Sequence, residues 1–224
     1  MLRSPAVCSL RTRSWGILDY GASLRAMRRY SRSRGKHSQD CLWLLQHAPV
    51  YTLGAKADTS QVFGDQNIAV VHTDRGGQAT YHAPGQLVGY LMLDLGRLNI
   101  GVRTLVYRTE ELLQQSLRHF GVDAQRWSGR PGLYIQRKKI AALGFRIHRR
   151  CSYHGFSLNV DCDLSPFEQM HPCGIAGQAV AKLCDYCPGV KLEHVESVVA
   201  RLATEYFAPH SELLHTPLAS RSTV

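Results

Sequence analysis

The stretch Arg75–Gln86 constrains the fold of this chain more than any other. Its sequence is RGGQATYHAPGQ, with three glycines, one proline, one arginine and one histidine in twelve residues. Short apolar runs precede it, at 68–71, and follow it, at 87–93. Such runs predict buried strands. We therefore expect two core strands that are joined by a glycine-rich connection.

This glycine-rich connection has two interpretations. A wide turn needs glycine for backbone angles with positive φ. A binding loop needs glycine because a residue without Cβ lets the backbone approach a ligand closely. Arg75, Thr80, Tyr81 and His82 crowd the same stretch. Their polar and aromatic side chains favour a binding loop.

Helices and strands are mixed along the chain without strict alternation. Apolar residues three and four apart predict the longer helices, over about 19–34, 103–120 and 192–206. Compact apolar runs predict further strands, at 41–46, 133–135, 140–147 and 154–160. The remaining segments predict loops at 55–66 and 125–132 and a short helix at 163–169. This pattern predicts an α+β fold, a single domain with a mixed β-sheet and flanking helices.

One segment between the first helix and the glycine-rich stretch stays open at this point. Residues 49–54 form either a strand at a sheet edge or an extended loop, because Pro49 cannot donate a hydrogen bond to a neighbouring strand.

The length of 224 residues suits one domain. We expect a disordered lead over 1–14, a folded domain over 15–207 and a polar tail over 208–224. Residues 1–18 carry three arginines and no acid, as a transit peptide does, but fold-like sequence begins near Trp15 and leaves little room for a removable presequence. No apolar run reaches the roughly 20 residues of a membrane span. A cytoplasmic location is therefore expected, and a mitochondrial one is the less favoured alternative.

Charge and cysteine usage narrow the possible partners. The net charge of +10 attracts acidic partners. Nucleic acid is one of them, but no long basic block and no RNA-binding motif accompany the charge, and an acidic protein fits equally well. Seven cysteines, an odd number, predict reduced thiols in a cytoplasm. Cys184 and Cys187 form a single CxxC pair, and a structural zinc site would need a second pair at similar spacing.

Cys173 is the candidate nucleophile. It lies between Pro172 and Gly174, so we expect it on a turn that exposes the sulfur and offers backbone N–H groups nearby. A reactive cysteine needs a cation or a base to lower the thiol pKa from roughly 8.5. On the residues alone, a structural loop cysteine is the commoner explanation.

Three residues are candidates to activate this thiol. His154 and His171 are close to it in sequence. Lys139 begins an apolar strand, which would draw its stem into the core. Burial lowers the pKa of an amine, and a cationic lysine lowers the pKa of a nearby thiol. The alternative for Lys139 is a solvated basic turn with Arg137 and Lys138. These residues alone leave the choice open.

A nucleotide site is weakly supported. The glycines at 76, 77 and 85 match neither GxxxxGK[ST] nor GxGxxG. Near these glycines, no pair of carboxylates at helix spacing is present to hold Mg²⁺.

Four motifs follow one another in a characteristic order. They are RGGQATYHAPGQ at 75–86, KKIAALGFRI at 138–147, HGFSLNVDCDLSPF at 154–167 and PCG at 172–174. Together with CLWLLQHAPVYTLG at 41–54, they closely resemble the lipoyl (octanoyl) transferase family, also called lipoate–protein ligase B. The resemblance runs from about residue 15 to 207. Ala83 departs from it, because the family has glycine there, and this affects the local turn or the width of the pocket.

The resemblance implies an acyltransferase that performs the first step of endogenous protein lipoylation. The family transfers an octanoyl group from octanoyl-acyl carrier protein to a specific lysine of lipoyl domains, through a cysteine thioester. The implied acceptors are the lipoyl domains of 2-oxoacid dehydrogenases and the glycine cleavage H protein. No cofactor, ATP or metal is implied, nor any nucleic acid or membrane. The implied fold is that of the biotin and lipoate ligases, which is class II synthetase-like.

The resemblance also implies which residues form the site. Cys173 would be the nucleophile and Lys139 would activate it. The acyl pocket would be lined by one stretch and two strand segments, namely Arg75, Gly76, Gly77, Gln78, Ala79, Thr80, Tyr81 and His82, then Ala142, Leu143 and Gly144, then Gly155, Phe156 and Ser157.

The residues support this chemistry on physical grounds. Transfer from a thioester to an amide needs no further energy source, and an acyl-enzyme divides it into two easier steps. Backbone N–H groups in glycine-rich turns can stabilise the oxyanion of each step. Two alternatives remain. An ATP-dependent lipoate or biotin ligase would form an acyl-adenylate and needs no cysteine, and a nucleic-acid-binding module is motivated by the charge alone.

Overall fold

The computed structural model describes residues 10–63, 67–171 and 177–207. Within these ranges the chain forms ten strands and three α-helices. The strands are β1 Arg11–Leu18, β2 Cys41–His47, β3 Val50–Leu53, β4 Ala69–His72, β5 Ala79–His82, β6 Gln86–Met92, β7 Gln125–Trp127, β8 Arg130–Ile135, β9 Lys138–His148 and β10 Cys151–Asn159. The helices are α1 Tyr20–Ser33, α2 Val102–His119 and α3 Leu192–Phe207.

Seven of the described strands form one mixed sheet in the order β1-β2-β6-β10-β9-β8-β7. β1 runs parallel to β2, and the other neighbours are antiparallel. Every residue of β6 is buried, and its side chains alternate between two apolar clusters. Leu87 and Leu91 pack in the cluster that contains α2 and α3, whereas Val88 and Tyr90 pack in the cluster that contains α1. Helices therefore cover both faces, and the predicted mixed sheet with flanking helices is confirmed.

A smaller sheet of β4, β3 and β5 holds the glycine-rich stretch. Val50–Leu53 is its fully buried central strand, which resolves the open interpretation of 49–54. Pro49 precedes this strand and therefore removes none of its backbone hydrogen bonds. The run at 68–71 forms a strand as predicted, but the prediction that this strand is buried was wrong, because β4 is an exposed edge on which Val70 is 46% exposed.

The strands that the sequence analysis missed have polar residues and are held by backbone pairing. β1 begins inside the predicted disordered lead and pairs with β2 along its length. β7 and the start of β8 lie in the predicted loop at 125–132, where they form a hairpin. β5 lies inside the predicted glycine-rich loop and pairs with β3. Residues 1–9 and the tail at 208–224 lie outside the described residues.

The three long helices lie where the periodicity predicts them, to within one or two residues. Asp19 caps α1 by accepting a hydrogen bond from the Ala22 N–H at 2.7 Å. Gly121, with φ of 75°, follows the C-terminal end of α2. The predicted short helix at 163–169 is a 3₁₀ turn, Ser165–Gln169. No helix in the described part of the chain is long and apolar enough to cross a membrane.

Candidate active site

A cavity of about 600 Å³ lies between the small sheet and the β10–β9–β8 side of the main sheet. The glycine-rich stretch forms one wall, the strands β9 and β10 form another, and α2 borders the opening. Most residues that the sequence analysis selected line it, namely Arg75, Gly76, Gly77, Gln78, Ala79, Thr80, His82, Lys139, Ala142, Leu143, Gly144, Gly155, Phe156 and Ser157.

Two of the selected residues are not among those lining residues. Cys173 lies outside the described residues. Tyr81 packs away from the cavity against Tyr51 and Phe167, with ring centroids 5.3 and 5.5 Å apart. Side chains alternate along a strand, so Tyr81 of β5 faces the opposite side from Thr80 and His82. Its contribution is to the small apolar cluster behind the wall.

Lys139 is brought to the cavity by a β-bulge. Tyr134 pairs with Lys139, but its neighbour Leu133 pairs with Ala141, so one step along β8 spans two residues of β9. A bulge changes the direction in which side chains point. As a result Lys139 and Ala142 both line the cavity, although they are three residues apart on the strand. Lys139 is 6% exposed, and its Nζ lies 5.4 Å from the centroid of the Tyr134 ring.

A buried carboxylate lies behind Lys139. Glu110 of α2 is 8% exposed and accepts a hydrogen bond from the Gly132 N–H at 2.9 Å. Gly132 is in close contact with the lysine, since a Cβ added there would lie 2.7 Å from Lys139 Cε. Burial raises the pKa of Glu110, and the Gly132 N–H and the positive charges of Arg126 and Lys139 oppose that rise.

The chain on both sides of the PCG motif is anchored. On the C-terminal side, the Lys139 N–H donates to the Ala179 carbonyl at 2.8 Å, and the Ala181 N–H donates to the Lys139 carbonyl at 2.9 Å. On the N-terminal side, the His171 N–H donates to the Gln61 carbonyl at 2.8 Å. The segment that follows Cys173 in sequence is therefore bound directly to the strand residue Lys139.

Arg75 fixes the glycine-rich wall. Its buried guanidinium donates to the Thr52 carbonyl at 2.6 Å and to the Gly76 carbonyl at 3.1 Å. The Gly76 N–H in turn donates to the Phe145 carbonyl at 2.8 Å, which joins the stretch to β9. This approach requires glycine on the facing strand, because a Cβ on Gly144 would lie 2.7 Å from the Gly76 oxygen.

Residues 19–206 match the model of the family described as the lipoyl protein ligase A/B catalytic domain. The chain belongs to this family. A curated relative named octanoyltransferase, from Pseudomonas syringae pv. syringae (strain B728a), is 46% identical over 189 residues, which cover 84% of this chain and 87% of the relative. The resemblance seen in the motifs is therefore confirmed.

Solved structures show how widely this family's fold is shared. A lipoate-protein ligase A bound with ATP has a TM-score of 0.71 at 17% identity, covering 88% of this chain and 84% of that one. The bipartite lipoate protein ligase of Thermoplasma acidophilum, described with its E2 lipoyl domain, has a TM-score of 0.69 at 19% identity, with coverage of 88% and 84%. At these identities the likeness shows the fold alone.

In this lipoyl ligase family domain, one end of the cavity is formed by aromatic and imidazole rings. Tyr20, His82, Tyr90 and His154 line that end. His82 donates from Nδ1 to the Gln86 side-chain oxygen at 2.7 Å, and its ring stacks on Tyr20 at 5.9 Å. Burial lowers the pKa of His82 to about 3, so the ring is neutral at pH 7.

A carboxylate supports the same end of the cavity from behind. Asp74 Oδ1 lies 2.9 Å from His154 Nε2, and Oδ2 accepts from the Tyr153 hydroxyl at 2.7 Å and from Arg28 Nε at 3.1 Å. Burial alone would raise the pKa of Asp74, but these hydrogen bonds outweigh it and hold that pKa well below its usual range. His154 has φ of 60°, an unusual value for a residue within a strand.

Several residues of the site were not found by the sequence analysis. They are spread over two helices, two strands and one loop, and none lies within a recognisable spacing pattern. These residues are Glu110, Asp74, Tyr20, Tyr90 and Tyr134. Asp74 had one signal, because it directly precedes the RGG triplet. Ala83 is buried in the cluster behind β5, and its φ is not positive, so its methyl group is accommodated without strain.

Proposed function

We propose that this chain is an octanoyltransferase that moves an octanoyl group from a carrier-protein thioester to a lysine of a lipoyl domain, through a thioester on Cys173. The family membership and the octanoyltransferase relative support the reaction class. The observation that carries the chemistry is a buried lysine, Lys139, which lines the cavity and whose backbone binds the segment after the PCG motif.

Lys139 acts as the proton carrier in both half-reactions. In the first, the Cys173 thiol gives its proton to the amine, and the thiolate attacks the donor carbonyl. The carbon–sulfur bond to the donor then breaks, and the donor thiol takes the proton back. In the second, the amine of the acceptor lysine attacks the acyl-enzyme and loses a proton to Lys139. The amide forms and Cys173 leaves as the thiolate, which takes that proton from Lys139. This restores the starting state, so the atoms and the protons balance without a further reactant.

The cavity walls suit an acyl chain. Ala142, Leu143 and Phe156 offer apolar surface, and the glycines at 76, 77, 144 and 155 let the backbone approach the chain closely. Acyl carrier protein is the proposed donor, and a lipoyl domain is the proposed acceptor, as the lipoyl domain described with the Thermoplasma ligase suggests for that relative. The +10 charge would speed encounters with acidic carriers. A cytoplasmic location remains part of this proposal.

An ATP-dependent ligase is the second candidate, because a ligase bound with ATP has the same fold. The two candidates differ in the covalent intermediate. Mixing the protein with octanoyl-acyl carrier protein and measuring its denatured mass should show one added octanoyl group, which is lost in Cys173→Ser and kept in the matched variant Cys184→Ser.

An octanoyl adduct that persists on Cys173→Ser would refute the thioester intermediate. Octanoylation of a lipoyl domain from free octanoate and ATP, with none from the carrier thioester, would establish the ligase instead.

A further inference from the structure

The side chains that line the cavity include several cations. Lys56, Arg75, Arg130 and Lys139 line it, and no acidic side chain lines it within the described residues. Arg75 and Lys139 are buried, whereas Lys56 and Arg130 are exposed at the rim. A cleft lined by one sign of charge concentrates ions of the opposite sign. The rim therefore favours an anionic ligand.

Arg130 at this rim shares one indole ring with a second guanidinium group, that of Arg137. Arg130 Cζ lies 4.5 Å from the centroid of Trp127, and Arg137 Cζ lies 5.5 Å from it. Both arginines are exposed, and neither forms an ion pair with a carboxylate in the described part of the chain. Arg126, by contrast, is paired with Glu111. Two like charges beside one ring, with no carboxylate partner among the described residues, favour the binding of an anion.

The shared ring connects these arginines to the interior. The Trp127 and Tyr134 rings make an edge contact at 5.3 Å, and Tyr134 lines the cavity beside Lys139, whose Nζ is 5.4 Å from its ring. A continuous line of contacts therefore runs from the candidate proton carrier to the exposed guanidinium groups.

Tight turns fix the backbone positions of the two arginines. Gly129, with φ of 74°, turns the chain from β7 into β8 directly before Arg130. Arg137 itself has φ of 71° in the turn between β8 and β9, and its carbonyl accepts a hydrogen bond from Gln178 Nε2 at 3.1 Å. Stacking on Trp127 restricts both side chains further, so less conformational entropy is lost when an anion binds.

We infer that Arg130 and Arg137 form a phosphate clamp for the pantetheine arm of the acyl donor. A carrier protein presents its thioester at the end of a pantetheine arm that is joined to the protein through a phosphodiester. The inference rests on the proposed function and specifies which part of the donor is recognised outside the cavity. Guanidinium groups match phosphate oxygens with paired hydrogen bonds. The thioester reaches Lys139 inside the cavity, while the phosphate stays outside at the two exposed arginines.

The test compares two soluble donors that differ only in the phosphate, octanoyl-4′-phosphopantetheine and octanoyl-pantetheine. The measured quantity is kcat/KM for transfer to a lipoyl domain. Wild type should prefer the phosphorylated donor by about 10-fold, since only that donor offers an anion to the two guanidinium groups. Arg130→Gln and Arg137→Gln should each reduce this preference several-fold, and the double variant should abolish it. Arg29→Gln, a matched change on an exposed residue of α1, should leave the preference intact.

Three results would overturn the clamp. One is a wild-type enzyme with equal kcat/KM for both donors. Another is an equal loss with both donors in the arginine variants, which would indicate a general effect on the site. The third is a loss seen only with the intact carrier protein, which would place the contact on the carrier surface. Failure of wild type to transfer octanoyl from any donor, including the carrier protein, would instead refute the proposed function.

Discussion

Lys139 is the residue on which the proposed chemistry depends. Lys139→Ala should slow acylation of Cys173 at pH 7 by about 100-fold or more, because general-base assistance typically contributes that much. The rate should recover as the pH approaches the ordinary thiol pKa of roughly 8.5, where the thiol ionises unaided. Single-turnover acylation, followed by mass spectrometry from pH 6 to 9.5, measures this.

Lys138→Ala is the matched control for this prediction. Lys138 is the exposed neighbour of Lys139 and carries the same charge. Its removal should leave the pH profile of acylation unchanged. A Lys139→Ala enzyme that acylates at the wild-type rate at pH 7 would exclude the proton-carrier role.

Glu110 is a buried carboxylate whose contribution to stability depends on pH. Burial raises its pKa in the folded protein, so the folded state binds its proton more tightly than the unfolded state does. Stability is therefore lost as the pH rises from about 4 through that raised pKa. Glu110→Gln keeps an acceptor for the Gly132 N–H, so the free energy of unfolding of this variant, relative to that of wild type, should be higher at pH 7 than at pH 4.

The same variant should acylate more slowly at pH 7, because it removes a buried negative charge that interacts with Lys139. Urea unfolding at both pH values and single-turnover acylation measure the two effects. A Glu110→Gln enzyme with wild-type acylation would show that the carboxylate has no part in positioning the lysine.

Whether a site residue could be predicted depends on where its neighbours lie in the chain. Lys139, Arg75 and Gly144 stand in continuous motifs, and the sequence indicates them. Glu110 lies in α2, where a glutamate between Thr109 and Glu111 looks like part of the solvated face. Only the packing of α2 against the β8 strand shows that it is buried under Gly132. That packing depends on contacts between elements that are distant in sequence.

At the scale of elements, the cavity depends on how closely the glycine-rich wall approaches β9. Gly144→Ala should destabilise the fold by about 1–3 kcal/mol and slow acyl transfer, because the new methyl group would push the Gly76 carbonyl away from the strand. Gly35→Ala is the control, since a Cβ at Gly35 meets nothing within 4 Å. Urea unfolding of both variants tests this. Equal stability of the two would mean that the close approach is not required.

The helices and strands also show which elements a repeating pattern of apolar residues can predict. The helices were predicted because each must bury one apolar stripe, which leaves a repeating pattern. β1, β5 and β7 carry mixed or polar residues, and backbone hydrogen bonds to a neighbour stabilise them as strands. Such pairing leaves little trace in the strand's own sequence. The bulge at Ile140 was likewise invisible, because it is defined only by the register against β8.

At the scale of the whole molecule, three layers meet at two buried histidines. His47 of the main sheet contacts the Tyr90 hydroxyl through Nε2 at 2.6 Å, and His82 of the small sheet packs against it with ring centroids 5.7 Å apart. Tyr20 of α1 contacts both rings. Burial lowers the pKa of His47 to about 4 and that of His82 to about 3. At this junction of His47, His82, Tyr90 and Tyr20, both imidazole rings are therefore neutral at pH 7.

This junction predicts how the protein responds to acid. Because the folded pKa values are depressed, the unfolded state binds protons first as the pH falls below 6.5. Each histidine then lowers the free energy of unfolding by at most about 1.4 kcal/mol per pH unit, until its folded pKa is reached. The contribution of these two histidines to stability should be fully present above pH 7 and should be lost progressively towards pH 4. His82→Gln should show a shallower fall in urea unfolding measured from pH 7.5 to 4.5. The exposed control His37→Gln should follow wild type, and a His82→Gln curve parallel to wild type would mean that proton uptake at this junction does not drive acid unfolding.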